Sequence, residues 1–173
     1  MNELEPAKIL DIRTYPDPIL SQCCLYVSNE PEEVKEVKTL IQNMFLTMYH
    51  NGGVGLSANQ VGVTKRVFVM DTSNSGQKRR AFVNPQILEA KEEARYKEGC
   101  LSFPNVFAFV KRAAKITVRA WDEEGTEFQL DLTGIDAICF QHELDHLNGI
   151  TFYDHLSAVQ KNLIKKRIAK LKK

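Results

Sequence analysis

Two histidines four residues apart, with a glutamate directly after the first, stand in "CFQHELDHLNG" (139–149). Residues at i and i+4 sit one above the other on a helix, so His142 and His146 can turn a ring nitrogen toward one ion. Glu143 lies roughly 100° further round, beside the ion rather than on it. A carboxylate there can take a proton from water and later deliver it to a leaving amine. The same HExxH pattern serves zinc peptidases, which add a third ligand and keep a fourth position open. In the longer HExxHxxGxxH form the third ligand is a histidine; here that position is Phe152, and the only later histidine, His155, falls at no recognised spacing.

The third donor therefore has to come from elsewhere. In "KEGCLSFP" (97–104), Cys100 follows Gly99 at a strand end. A thiol is deprotonated outright by a divalent ion, and glycine allows close backbone approach. Cys100, His142 and His146 would make a one-sulfur, two-nitrogen site. Cys139 competes for the third place, but three residues before His142 it would need a cramped arrangement on the same helix. Asp145 faces away from Glu143 and is expected to orient a histidine or tie down a loop. Two plainer readings stand beside these: a helix that merely carries polar residues, and a closed structural metal site in which Glu143 is idle.

A third stretch, "GGVGLSANQVG" (52–62), lacks both a Lys-Ser/Thr ending and GxGxxG spacing, so a nucleotide-binding reading is weak. Gly55 would let an extended substrate lie against the backbone. Gln60 offers a neutral amide donor suited to a developing oxyanion.

These stretches need elements to position them. Val34, Val37, Ile41, Met44, Phe45 and Met48 recur at helical spacing over 31–50, with Asn29 as a cap and "NGG" (51–53) as the stop. Short strand-like runs follow at 66–70, 81–88, 106–110, 115–121 and 127–132, parted by "SNSG" and "DEEG". A second helix is expected from Thr133 to about Gly149, opened by a Thr133/Asp136 capping box. Its stripe of Ile135, Ile138, Cys139, His142 and His146 turns the histidines toward the sheet. A terminal helix over 157–171 sets Val159, Leu163, Ile164, Ile168 and Leu171 against a dense Lys/Arg face. The pattern predicts an α+β fold, mostly antiparallel sheets packed around a central helix that carries HExxH, with N- and C-terminal helices.

The bulk numbers set the class. With 173 residues, 43% hydrophobic and 26% charged, the chain predicts one domain over 1–173 with a single core. A net charge of +1 gives no overall pull toward nucleic acid or anionic membrane. No apolar run reaches membrane-spanning length and no secretory signal opens the chain, so a cytosolic protein is expected. The 4 cysteines, two of them adjacent, are expected to be reduced.

Taken together, "GVGLSANQ", "EGCLS" and "QHELDHLNG" resemble, in this order, the three marker segments of the peptide deformylases, GxGLAAxQ, EGCLS and QHExDHLxG. The resemblance spans nearly the whole chain, including "YPDPIL" and a basic terminal helix of the bacterial type. It implies Cys100, His142 and His146 as ligands of one divalent ion, usually ferrous iron (Fe2+), with nickel, cobalt or zinc able to substitute. It implies Glu143 as acid/base, and Gln60 with the backbone N–H of Leu101 as oxyanion donors. The implied reaction removes the formyl group from the N-terminal formyl-methionine of new polypeptides in the bacterial cytoplasm. The peptide would lie extended near Val54, Gly55 and Gly99, its methionine in a pocket near Val54, Tyr96, Ile135, Ile138, Cys139 and His142. The basic helix would touch the ribosome, and no membrane is implied as a partner. Ser57 replaces the commoner alanine, which leaves the chemistry intact. Phe107 stands where some relatives carry an arginine, so a polar contact to the substrate backbone is expected to be absent or replaced by packing. The alternative is another HExxH metallopeptidase.

Overall fold

Pro31 fixes the first turn of a 20-residue helix, α1 (Pro31–His50), whose buried face includes Val37, Ile41, Met44 and Met48 as the spacing predicts. Asn29 does not cap it: Glu30 stands at the N-cap with no side-chain bond. The preceding turn is held instead by Glu33, which accepts from the Ser28 N–H and hydroxyl at 3.0 and 2.6 Å. The computed structural model describes residues 6–73 and 75–171. Asn74 of the "SNSG" turn and the side chain of Leu171, expected on the last apolar stripe, lie outside the described residues.

Strands β1 (Gly55–Ser57), β2 (Val67–Met70), β3 (Arg80–Cys100), β4 (Phe103–Trp121) and β5 (Glu127–Thr133) follow. Among the described residues they form one antiparallel sheet in sequential order, where several sheets were expected. The runs 106–110 and 115–121 are one strand, because β3 pairs with β4 along nearly its whole length and gives Lys111, Arg112 and Ala113 partners. That pairing also draws the charged stretch 89–97 into a strand. Cross-strand pairs Lys115–Glu92 and Lys111–Glu93, at 2.6 and 2.9 Å, line its exposed face. Cys100 pairs with Phe103, so the hairpin turns at Leu101–Ser102 and the thiol stands at its tip.

Helix α2 (Gly134–Leu147) carries the residues from Cys139 to His146 across the sheet. The expected capping box is not formed. Thr133 makes no side-chain cap bond, and Asp136 instead takes the Thr72 hydroxyl and Lys78. Phe140 seats the helix, edge-on to Phe68 and Phe82 at ring centroids 5.1 and 5.0 Å. Ile135 departs from the expected buried stripe and is 49% exposed. Helix α3 (Ala158–Leu171) buries Ile164 and packs Ile168 against the apolar cluster that includes Phe103 and Phe152, but Val159 and Leu163 are 70% and 63% exposed, so its apolar face is narrower than the spacing suggests. All four cysteines are free thiols.

Candidate active site

Three elements converge behind a cleft of about 630 Å³. The tip of the β3–β4 hairpin brings Cys100, α2 brings both histidines and Glu143, and a 3-10 turn (Ala58–Val61) after β1 brings Gln60. Cys100 Sγ lies 3.3 Å from His146 Nε2, and that nitrogen lies 3.3 Å from His142 Nε2. Bonds of about 2.0–2.3 Å from one tetrahedral ion to nitrogen and sulfur set such donors roughly 3.3–3.6 Å apart, so the three atoms fit a divalent ion. Cys139 stays out of the cluster, its Sγ turned 3.6 Å from the Val54 carbonyl.

The ring orientations are fixed from behind. His142 Nδ1 meets Glu98 Oε2 at 2.8 Å, and Arg112 clamps both oxygens of Glu98 at 2.5 and 2.9 Å while reaching Asp145 at 2.7 Å. Asp145 also holds His155 at 2.7 Å, the tying role expected of it. Burial works against charge on Glu98, but bonds from His142 and Arg112 outweigh it and hold the carboxyl at about 2. A carboxylate behind a ligating imidazole fixes its tautomer and raises its basicity. Burial likewise opposes charge on His142, yet Cys100 and Glu98 push its pKa well up; burial and the neighbouring His142 push His146 well down.

Glu143 is 4% exposed, and its Oε2 has no partner. Burial is the main cause that pushes its carboxyl up to about 7, near where a general base is most effective. Gly55 is required by this carboxylate rather than by a bound chain alone. A Cβ there would strike Glu143 Oε1 and come within 2.9 Å of Cys139 Sγ.

Gln60 is held one way round. Its Oε1 accepts from the Ser57 N–H and hydroxyl at 3.0 and 2.8 Å. Its amide nitrogen therefore faces the site, donating to Ser102 Oγ at 3.0 Å and Cys100 Sγ at 3.4 Å. The backbone behind is strapped by the N-terminal segment, with Arg13 N bonded to Gln60 O at 2.7 Å and Tyr15 N to Ser102 O at 2.9 Å. Leu101 lines the cleft from the hairpin turn.

Val54, Gly55, Tyr96, Gly99, Ile135, Ile138 and Cys139, the residues that the resemblance implied for substrate, all line this cleft. Two details differ. The Val54 carbonyl is taken by Asp71 N at 2.9 Å, and the Phe107 ring covers Gly99, where a Cβ would lie 2.6 Å from Phe107 Cε1. Sequence reasoning missed Glu98 and Arg112, although Glu98 stands inside the quoted "KEGC". A carboxylate next to a Gly-Cys candidate ligand was the available signal.

Candidate ion donors with a proton acceptor and an amide donor beside them define the layout of a metal-dependent hydrolase. The particular family follows from kinship. Residues 9–162 match the family model for polypeptide deformylase. A peptide deformylase 2 from Xanthomonas campestris is 42% identical over 165 residues, covering 95% of this chain and 97% of that protein. The crystal structure of a peptide deformylase from Legionella pneumophila superposes with a TM-score of 0.88 at 38% identity, covering 95% of both chains. That of the Ehrlichia chaffeensis enzyme in complex with actinonin gives 0.85 at 36%, covering 94% of this chain and 97% of that one. The chain belongs to the polypeptide deformylase family.

Proposed function

We propose that this chain removes the formyl group from the N-terminal formyl-methionine of newly made polypeptides, acting as one catalytic domain over residues 1–173. One observation carries the reading: Cys100, His142, His146, Glu143 and Gln60 meet at the inner end of one partly apolar cleft. Cys100, His142 and His146 hold one divalent ion, in our reading ferrous iron, with nickel, cobalt or zinc as substitutes. Bound there, the ion supplies Lewis acidity and makes water a competent nucleophile near neutral pH.

The chain's own groups do the rest. Glu143, buried with its Oε2 unpartnered, takes the proton from the attacking water and passes it to the departing α-amine. Gln60, its carbonyl end held by Ser57, donates Nε2–H to the developing oxyanion, and the Leu101 N–H donates beside it. The methionine side chain enters the cleft between Val54, Tyr96, Ile135, Ile138 and Cys139, while its backbone runs along Gly55 and Gly99. A pocket of this kind separates apolar side chains by about 1–3 kcal/mol per methylene, so other apolar first residues react more slowly.

The test is incubation with formyl-Met-Ala-Ser and with unformylated peptides. Formate from the first and intact backbones in both are expected. Backbone cleavage without formate would instead establish a metallopeptidase. For the iron assignment, protein purified without oxygen is expected to lose activity in air as the ion and Cys100 oxidise, while a nickel-loaded form holds; equal decay of both would discard iron as the relevant difference.

The cation-rich outer face of α3 supports a contact with ribosomal RNA in a bacterial cytoplasm. Because Ile164 is buried, deleting this helix would also uncover the core, so reversing the exposed Lys165, Lys166 and Arg167 is the cleaner variant. Salt-sensitive ribosome binding is expected to weaken in it, and unchanged binding would remove this part of the reading. No helix among the described residues is long and apolar enough to cross a membrane.

A further inference from the structure

The β3–β4 hairpin exposes two phenylalanines, Phe107 at 58% and Phe109 at 52%. Directly opposed residues of an antiparallel pair share a face, as do residues two apart. The register sets Gly99 against Phe107, Lys97 against Phe109 and Arg95 against Lys111, so these six residues lie on one face. The Lys97 ammonium sits over the Phe107 ring at 5.5 Å, and the Arg95 guanidinium over Phe109 at 5.2 Å. Lys111 is engaged by Glu93 at 2.9 Å, whereas among the described residues no carboxylate forms a salt bridge with Arg95 or Lys97. The stripe starts inside the cleft, which Lys97, Gly99 and Phe107 line together with Cys100, and it leads outward from there.

We infer that this stripe seats the downstream residues of the formylated peptide and selects for acidic ones from the third position onward. The inference rests on the deformylase reading and adds a substrate preference to it. Each step of two residues along β3 covers roughly 7 Å, so Lys97 and Arg95 stand about 7 and 13 Å from Gly99. An extended peptide whose formyl end is at Cys100 passes those points with its third to fifth residues. Phenylalanine rings offer apolar contact to any side chain, and the two unpaired cations add a sign. Continuity with the cleft favours a peptide over an RNA strand, which would have no reason to end at Cys100.

The experiment compares kcat/KM for formyl-Met-Ala-Ser-Glu-Glu and formyl-Met-Ala-Ser-Lys-Lys, each normalised to formyl-Met-Ala, at low and high salt. The acidic peptide is expected to be favoured about tenfold at low salt, mainly through KM, with the preference shrinking as salt rises. The exposed double variant R95E/K97E is expected to abolish or invert it. A ratio near one in the unaltered enzyme, or one that survives R95E/K97E, overturns the inference while leaving the activity standing. Loss of single-stranded RNA binding in R95E/K97E with the peptide ratio intact also overturns it, giving the stripe to nucleic acid. No formate even from formyl-Met-Ala overturns the deformylase reading and this inference with it.

Discussion

Glu143 and Gly55 illustrate how tightly the reacting groups are set. Gly55→Ala adds one methyl where Glu143 Oε1 and Cys139 Sγ already stand, so the carboxylate must shift. Formate release is expected to fall at least tenfold with an unchanged circular dichroism spectrum, since misplacing a reacting group by about 1 Å costs on that order or more. Full activity would show that Glu143 is not held where the proton is needed. Gln60→Ala removes a donor worth roughly 100-fold in kcat at an oxyanion site. Ser57→Ala should cost less, because the Ser57 N–H still holds Gln60 Oε1 at 3.0 Å. A kcat loss of a few fold, with KM little changed, is the expected reading of that variant. The sequence singled out Gly55 for close substrate approach and Gln60 as an amide donor, but not the contacts that set them. The clash at Gly55 arises only when α2 is laid across β1, a contact between segments far apart in the chain, whereas the Ser57 donors that orient Gln60 lie three residues away.

At the scale of elements, α1 and α2 were legible because their apolar residues recur at the helical period. The β3–β4 hairpin was half-legible: its charged run 89–97 has no alternation and becomes strand only because β4 lies beside it. The same hairpin holds Glu98 and Arg112, which join Asp145 of α2 in the network behind His142, and no local pattern announces it. Arg112 is 7% and Glu98 6% exposed, so Arg112→Leu would strand a buried carboxylate. A loss of about 3–5 kcal/mol in urea unfolding is expected, together with weaker ion retention. Retained stability would mean that water replaces the guanidinium. Phe140→Ala, which empties the contact with Phe68 and Phe82, is expected to cost about 3–5 kcal/mol as well.

Across the whole molecule, Asp71 joins α1 to the sheet. It accepts from Tyr49 Oη at 2.7 Å, Gly76 N at 2.6 Å and Ser73 N at 3.0 Å. Burial alone would raise its pKa, but the bonds from Ser73, Tyr49 and Gly76 outweigh it and hold the carboxyl at about 2. A folded-state pKa below the unfolded value stabilises the fold above pH 4 or so, and that contribution, about 2 kcal/mol, is lost as pH falls toward 2. The Tm advantage over Asp71→Asn is therefore expected to shrink between those values, and a constant gap would refute the linkage.

The overall arrangement shows why an HExxH helix need not signal peptide-bond cleavage. With Phe152 packed against Phe103 where a downstream ligand could have stood, it is the hairpin tip that brings a thiol, Cys100, beside the two histidines. Glu143→Gln, assayed for bound metal and for formate release on the same oxygen-free preparation, tests this account most directly. An ion content equal to that of the unaltered protein is expected, with formate release lower by about 100- to 10,000-fold. Release at the unaltered rate would contradict it.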